Sequence, residues 1–196
     1  MDLHQEKILL RERIAERMDH LSPQKREAES RSLCRRIKEL LPAHTKTICA
    51  YYPLATEADI RPLLCELLQK KIHLYLPRFT SNTLTYHRVT DVDALVIGEL
   101  KIKEPSGEAE SLDPLSLDLA LVPGRAFDRD GWRLGRGNGG YDIWIHSQRS
   151  LNPKTLFWGI AFDCQIAREV PHEGHDEKMD AVVTGRGLLQ DEAKDP

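Results

Sequence analysis

A chain of 196 residues carries 28 Lys and Arg against 31 Asp and Glu, a formal net charge of −3. That length suits one domain with a sizeable core and is short for two. The mix of 40% hydrophobic and 30% charged residues excludes a disordered chain, and the net charge removes the case for general nucleic-acid binding. Any anion must therefore be held by a local site. Cys34, Cys49, Cys65 and Cys164 form no CxxC pair and read as reduced thiols of a cytoplasmic protein. The opening stretch MDLHQEKILLRERI alternates charged and apolar residues, which argues against both a signal peptide and a membrane span.

Residues 6–19 have helical spacing, with Ile8, Leu10, Ile14 and Met18 toward one side. Ser22-Pro23 is a helix start, and the helix it opens is expected to end at Pro42. Residues 1–42 thus form two amphipathic helices ahead of an α/β core, 43–186, with 187–196 as a tail. A first strand is predicted over 47–52, a helix over 60–70 and a second strand over 72–76, a βαβ unit that implies a parallel sheet. A hairpin-like pair is expected from 83–89 and 97–102. Strands at 118–122, 156–161 and 181–184 complete the sheet, with helices at 141–147 and 165–170. In such sheets ligands collect at the carboxyl ends of strands, so the loops after Tyr52, Leu76, Val122 and Ala161 are the places to look.

The richest of these loops is LVPGRAFDRDGWRLGRGNGGYD, residues 121–142. Gly135, Gly137, Gly139 and Gly140 let backbone amides approach a ligand, and successive amides form an anion-binding concavity. Arg133 and Arg136 add bidentate donors suited to phosphate, and Asp142 a hard oxygen suited to magnesium. The letters G-x-G-x-x-G are present, but a long polar loop separates them from the strand they should follow. A Walker A loop would end in Gly-Lys-Ser/Thr, and this one ends in Gly-Gly-Tyr-Asp. The local reading is a loop wrapped round a polyphosphate.

FDxxGxRLGxGxGxYD resembles the signature of the 5-formyltetrahydrofolate cyclo-ligases. Phe127, Asp128, Gly131, Arg133, Leu134, Gly135, Gly137, Gly139, Tyr141 and Asp142 fall on it. One position departs: the family usually has an aromatic residue before the final Tyr-Asp, and here it is Gly140. The resemblance implies a single α/β domain of the NagB/RpiA/CoA-transferase-like type, with a mostly parallel sheet flanked by helices. It implies an ATP- and magnesium-dependent cyclisation of 5-formyltetrahydrofolate. ATP would be held by Lys7, Arg11 and the loop residues Arg133, Leu134, Gly135, Arg136, Gly137, Asn138, Gly139, Gly140 and Tyr141. Arg133 and Tyr141 would act in the reaction, Glu57, Tyr52 and Tyr141 would meet the reduced folate, and Asp142 with Asp176 would bind magnesium. Arg78 is a further phosphate candidate, Glu104 reads as a turn residue outside the site, and His172 and His175 read as loop-surface histidines. A monomer is expected, with no nucleic-acid or membrane partner. Two alternatives stand beside this: a folate- or nucleotide-binding homologue of weakened turnover, and an ATP-dependent enzyme of the same scaffold acting on another substrate.

Overall fold

The computed structural model describes residues 2–81, 83–99 and 101–189. Helix α1 (Leu3–Asp19) starts on Asp2, whose side chain accepts from the His4 amide at 3.2 Å. It buries Leu10, Ile14 and Met18 on one stripe. Helix α2 (Pro23–Leu40) starts as Ser22-Pro23 requires, with the Ser22 hydroxyl accepting from the Lys25 amide. Its buried stripe is Leu33, Cys34 and Ile37.

The core then alternates β1 (Thr47–Cys49), α3 (Arg61–Gln69), β2 (His73–Thr80) and β3 (Thr83–Val89). A ribbon of β4 (Val96–Ile97) and β5 (Lys103–Glu104) follows, then β6 (Leu119–Pro123) and a small hairpin of β7 (Ala126–Phe127) and β8 (Arg133–Leu134). Helix α4 (Gly140–Leu151) leads to β9 (Leu156–Ile160), β10 (Ala181–Thr184) and β11 (Gly187–Leu189). β11 lies in the stretch taken as a tail, and residues 190–196 lie outside the described ones.

Seven strands make one sheet in the order β11-β10-β9-β6-β1-β2-β3. The five inner strands are mutually parallel, and β3 and β11 run antiparallel at the edges. Alternate residues serve opposite faces: Leu119 and Leu121 pack with α1, α2 and α3, while Ala120 and Val122 pack with Ile145 of α4. Both faces are covered, which is why β6 reads as an unbroken apolar run. Strand order reverses at β1, with β2 on one side and β6 on the other. A crevice therefore opens beyond the carboxyl ends of β1 and β6.

Four expectations are corrected. β1 is three residues long, with one further ladder bond from the Ala50 amide to the Tyr75 carbonyl at 2.9 Å. Residues 83–89 pair with β2, while the segment near 97–102 turns back on itself as β4 and β5. Helix α4 runs on to Leu151, past the expected end at 147. Residues 165–170 form no helix: after the single 3-10 turn Asp163–Gln165, the Ala167 amide donates to the Phe127 carbonyl at 2.8 Å and the Val170 amide to Asp128 Oδ2 at 2.9 Å. Amides spent on the β7–β8 hairpin cannot close helical turns.

Asp128 is the knot of that junction. It is 1% exposed, and its Oδ1 accepts from the Trp132 amide at 2.9 Å. Burial raises its carboxyl above the usual range, although its backbone donors oppose this. Asp128→Ala strands the buried Val170 amide and the part-buried Trp132 amide and is expected to cost roughly 2–4 kcal/mol in urea unfolding; a loss under about 1 kcal/mol would contradict the assignment.

Candidate active site

The glycine loop takes its shape from backbone angles. Gly137 has φ +103° and Gly139 φ +68°, a region that side chains strongly disfavour. Gly139 is also the N-cap of α4, and no side chain caps that terminus. The first-turn amides of α4 thus carry unclaimed donor capacity and the positive end of the helix dipole.

Arg133 sits beneath this turn with its side chain 3% exposed. Its Nη2 donates to Asp142 Oδ2 at 2.7 Å, and its guanidinium lies 5.3 Å from the Tyr141 ring centroid. Its Nε is buried and has no partner among the described residues. Asp142 Oδ1 accepts from the Glu177 amide at 3.3 Å. Burial, and then the charge of Glu57, raise the Tyr141 hydroxyl well above its ordinary pKa, so it stays a neutral donor at neutral pH.

Helix α1 and the loop before β10 supply a second set of charges. Arg11 Nε donates to the Gly135 carbonyl at 3.0 Å, which ties α1 to the glycine loop. Burial lowers the Arg11 pKa, against a smaller opposing pull from Asp176. Lys7 Nζ donates to Asp176 Oδ2 at 2.6 Å and to Glu173 Oε2 at 2.9 Å. Burial alone would lower Lys7, but Asp176 and Glu173 outweigh it and hold the ammonium above its ordinary range. For Asp176 burial would raise the pKa, and Lys7 together with the Glu173 amide brings it below the carboxylate range.

Across the crevice, Glu57 Oε2 accepts from the Leu54 amide at 3.0 Å. Its Oε1 accepts from Arg136 Nη2 at 3.2 Å, and the same nitrogen reaches Thr56 Oγ1 at 3.1 Å. Arg136 therefore bridges the glycine loop to the loop after β1. These segments enclose an open cleft of about 320 Å³, a size suited to a small ligand.

The crevice lies at the switch point of the sheet, and the same fold and sequence recur in known proteins. The family model for the 5-formyltetrahydrofolate cyclo-ligase family matches residues 3–185. The chain belongs to the 5-formyltetrahydrofolate cyclo-ligase family. It is 32% identical over 178 residues to the 5-formyltetrahydrofolate cyclo-ligase of Escherichia coli (strain K12), which covers 87% of this chain and 96% of that one. The Saccharomyces cerevisiae enzyme of the same name is 29% identical over 206 residues, 93% and 97% of the two chains. The solved structure of Aquifex aeolicus 5,10-methenyltetrahydrofolate synthetase superposes with a TM-score of 0.82 at 31% identity, over 97% and 94% of the chains. This chain is an enzyme of the cyclo-ligase class, built as one α/β domain on a mostly parallel sheet.

In this cyclo-ligase the residues named as site candidates from the sequence line the one cleft, with the exceptions of Gly140 and Arg78. Gly140 is buried at the start of α4, with Phe79 lying over it. Arg78 is absent from the cleft lining. It is 3.5 Å from Glu104 Oε1 and donates to the Pro105 carbonyl at 3.3 Å. Glu104, read as a turn residue, is 5% exposed and lines the cleft, where its Oε2 accepts from the Phe79 amide at 3.4 Å. His172 stacks on Trp132 at 3.7 Å between centroids, while His175 lines the cleft with its side chain 75% exposed. The long segment that follows Ala161 reaches the cleft through Glu173, His175 and Asp176.

Phe79, Leu84 and Ile102 also line the cleft and were not singled out from the sequence. A signal existed for Phe79, which follows Pro77-Arg78 at an expected strand end. Leu84 and Ile102 arrive only through hairpin and ribbon pairing, which local pattern does not specify. Among the described residues one group of potential metal ligands gathers within 4.8 Å: Glu173, His175 and Asp176. Asp142 lines the same cleft but stands outside that group.

Proposed function

We propose that this cyclo-ligase closes 5-formyltetrahydrofolate to 5,10-methenyltetrahydrofolate with ATP and magnesium, releasing ADP and phosphate. It acts as a monomer in the cytoplasm, without nucleic-acid or membrane partners. The observation that carries the reading is the convergence of Lys7, Arg11, Arg133 and Arg136 with the uncapped start of α4 on one cleft, which also offers Glu57 and an apolar wall. The cations and loop amides hold the triphosphate. Glu57, freed from Arg136, accepts paired N–H donors from the aminopyrimidinone of the folate, and Tyr52 flanks it.

The formyl oxygen of an amide-like group is a poor leaving group. It attacks the γ-phosphorus, ADP departs, and the oxygen becomes part of an iminophosphate. N10 then attacks the activated carbon and loses its proton to solvent, and the C–O bond breaks to release phosphate. The chain supplies positioning and charge neutralisation for both steps. Arg133 stabilises the transferring phosphoryl group, and the neutral Tyr141 hydroxyl donates near the formyl group.

The donor set suits magnesium: Asp142 and Asp176 offer hard carboxylate oxygens, and Asp176 Oδ1 accepts no hydrogen bond among the described residues. Magnesium bound there would neutralise phosphate charge. Four free cysteines suit a reducing compartment, and among the described residues no helix is long and apolar enough to cross a membrane.

Substrate labelled with ¹⁸O in the formyl group tests the mechanism, because the label is expected in the released phosphate. Label retained in the folate or lost to water would overturn it. Binding of both ligands with no transfer at all would support the reading motivated by Gly140, in which the chain holds folate and nucleotide without efficient turnover.

A further inference from the structure

We propose that Phe79 is a specificity-determining residue of this cleft: its ring packs against the planar ring system of the folate, and it can lie there because residue 140 is glycine. The proposal rests on the folate reading of the cleft above. A Cβ placed on Gly140 would fall 2.9 Å from Phe79 Cε2 and 3.3 Å from Cζ. Gly140 is the first residue of α4 and is not among the glycines with positive φ. Its backbone would accept any residue, so the glycine answers a demand for space, and Phe79 fills that space. The ring belongs to a different element, near the end of β2, and still lines the cleft.

Phe79 is braced in place. It stands opposite Leu84 in the β2–β3 ladder. Its amide donates to Glu104, and that buried carboxylate lies 3.5 Å from Arg78 Nε. Leu84 and Ile102, the latter from the β4–β5 ribbon, also line the cleft, so hairpin and ribbon together give it apolar lining beside the polar glycine loop. An aromatic ring so held favours a stacked or edge-on aromatic partner. The triphosphate calls for none of this, whereas a fused pterin or its aminobenzoyl arm does.

Calorimetric titration of 5-formyltetrahydrofolate without ATP, into the whole protein and three variants, tests the pair independently of turnover. Phe79→Ala is expected to weaken folate binding about tenfold, the loss of one aromatic contact. Gly140→Ala should also weaken it, because the added methyl displaces the ring. In the Phe79→Ala background the same Gly140→Ala change should have no effect, since alanine is otherwise favoured over glycine in a helix. The dissociation constant for ATP–magnesium should be unchanged in Phe79→Ala, which removes neither a glycine-loop amide nor a phosphate-facing cation. Folate affinity within about twofold of the parent in Phe79→Ala, equal losses from Gly140→Ala in both backgrounds, or a parallel loss of ATP affinity in Phe79→Ala would each overturn the proposal. A parent protein that binds folate in this Phe79-dependent way but forms no product would uphold the inference and sink the turnover reading. Absence of folate binding in the parent would sink both.

Discussion

Arg133→Ala is expected to lower kcat by roughly 10²- to 10³-fold, the usual consequence of deleting one pre-organised charge donor at a reacting group. The side chain is nearly fully buried, pinned by Asp142 at 2.7 Å, and stacked near Tyr141, so its guanidinium cannot wander. Its buried Nε lacks a partner among the described residues, and the remaining fork is fixed from below. Because Arg133 and Asp142 hold one another, the losses should not add. Asp142→Ala alone and the double variant should fall to about the level of Arg133→Ala. Steady-state rates at saturating ATP and folate, with circular dichroism confirming fold, check this. A rate within about threefold of the parent in Arg133→Ala would contradict the role, since a donor at the reacting group is worth far more.

Lys7→Ala is expected to raise the ATP KM by roughly 10- to 100-fold while kcat falls less, as loss of a buried hydrogen-bonded charge costs 2 kcal/mol or more. Lys7 is held between Asp176 and Glu173, and its side chain is 11% exposed against 13% for Asp176. Truncation would leave the Asp176 carboxylate partly buried without its cation. Melting temperature should therefore fall along with ATP affinity. Lys7→Arg keeps the charge and should recover most of both. An ATP KM unchanged in Lys7→Ala would place the residue in fold maintenance alone.

The sheet was legible because its strands are covered on both faces and so read as apolar runs. The glycine loop stood out as a candidate site because amide donors, arginines and a carboxylate fall together in 121–142, and the loop does line the cleft. Lys7 and Arg11 could be named only through family likeness, since on a helix surface such a pair ordinarily means solvated charge. The structure shows the reason for their spacing: one turn of α1 carries Lys7 to Asp176 and Arg11 to the Gly135 carbonyl. Other features lay beyond local pattern. The segment 165–170 has helical composition, yet its amides are claimed by Phe127 and Asp128 from far along the chain. Glu104 looks like a turn residue until the β2–β3 hairpin brings the Phe79 amide to it. Both depend on long-range pairing, where tertiary contacts override local propensity.

The most direct test is absorbance in the methenyltetrahydrofolate band after the protein is mixed with 5-formyltetrahydrofolate, ATP and magnesium. A signal that requires all three, and disappears when any one is omitted, is the result expected of this cleft. Absorbance that rises without ATP, or fails to rise with all three present, would contradict ATP-driven cyclisation by this chain.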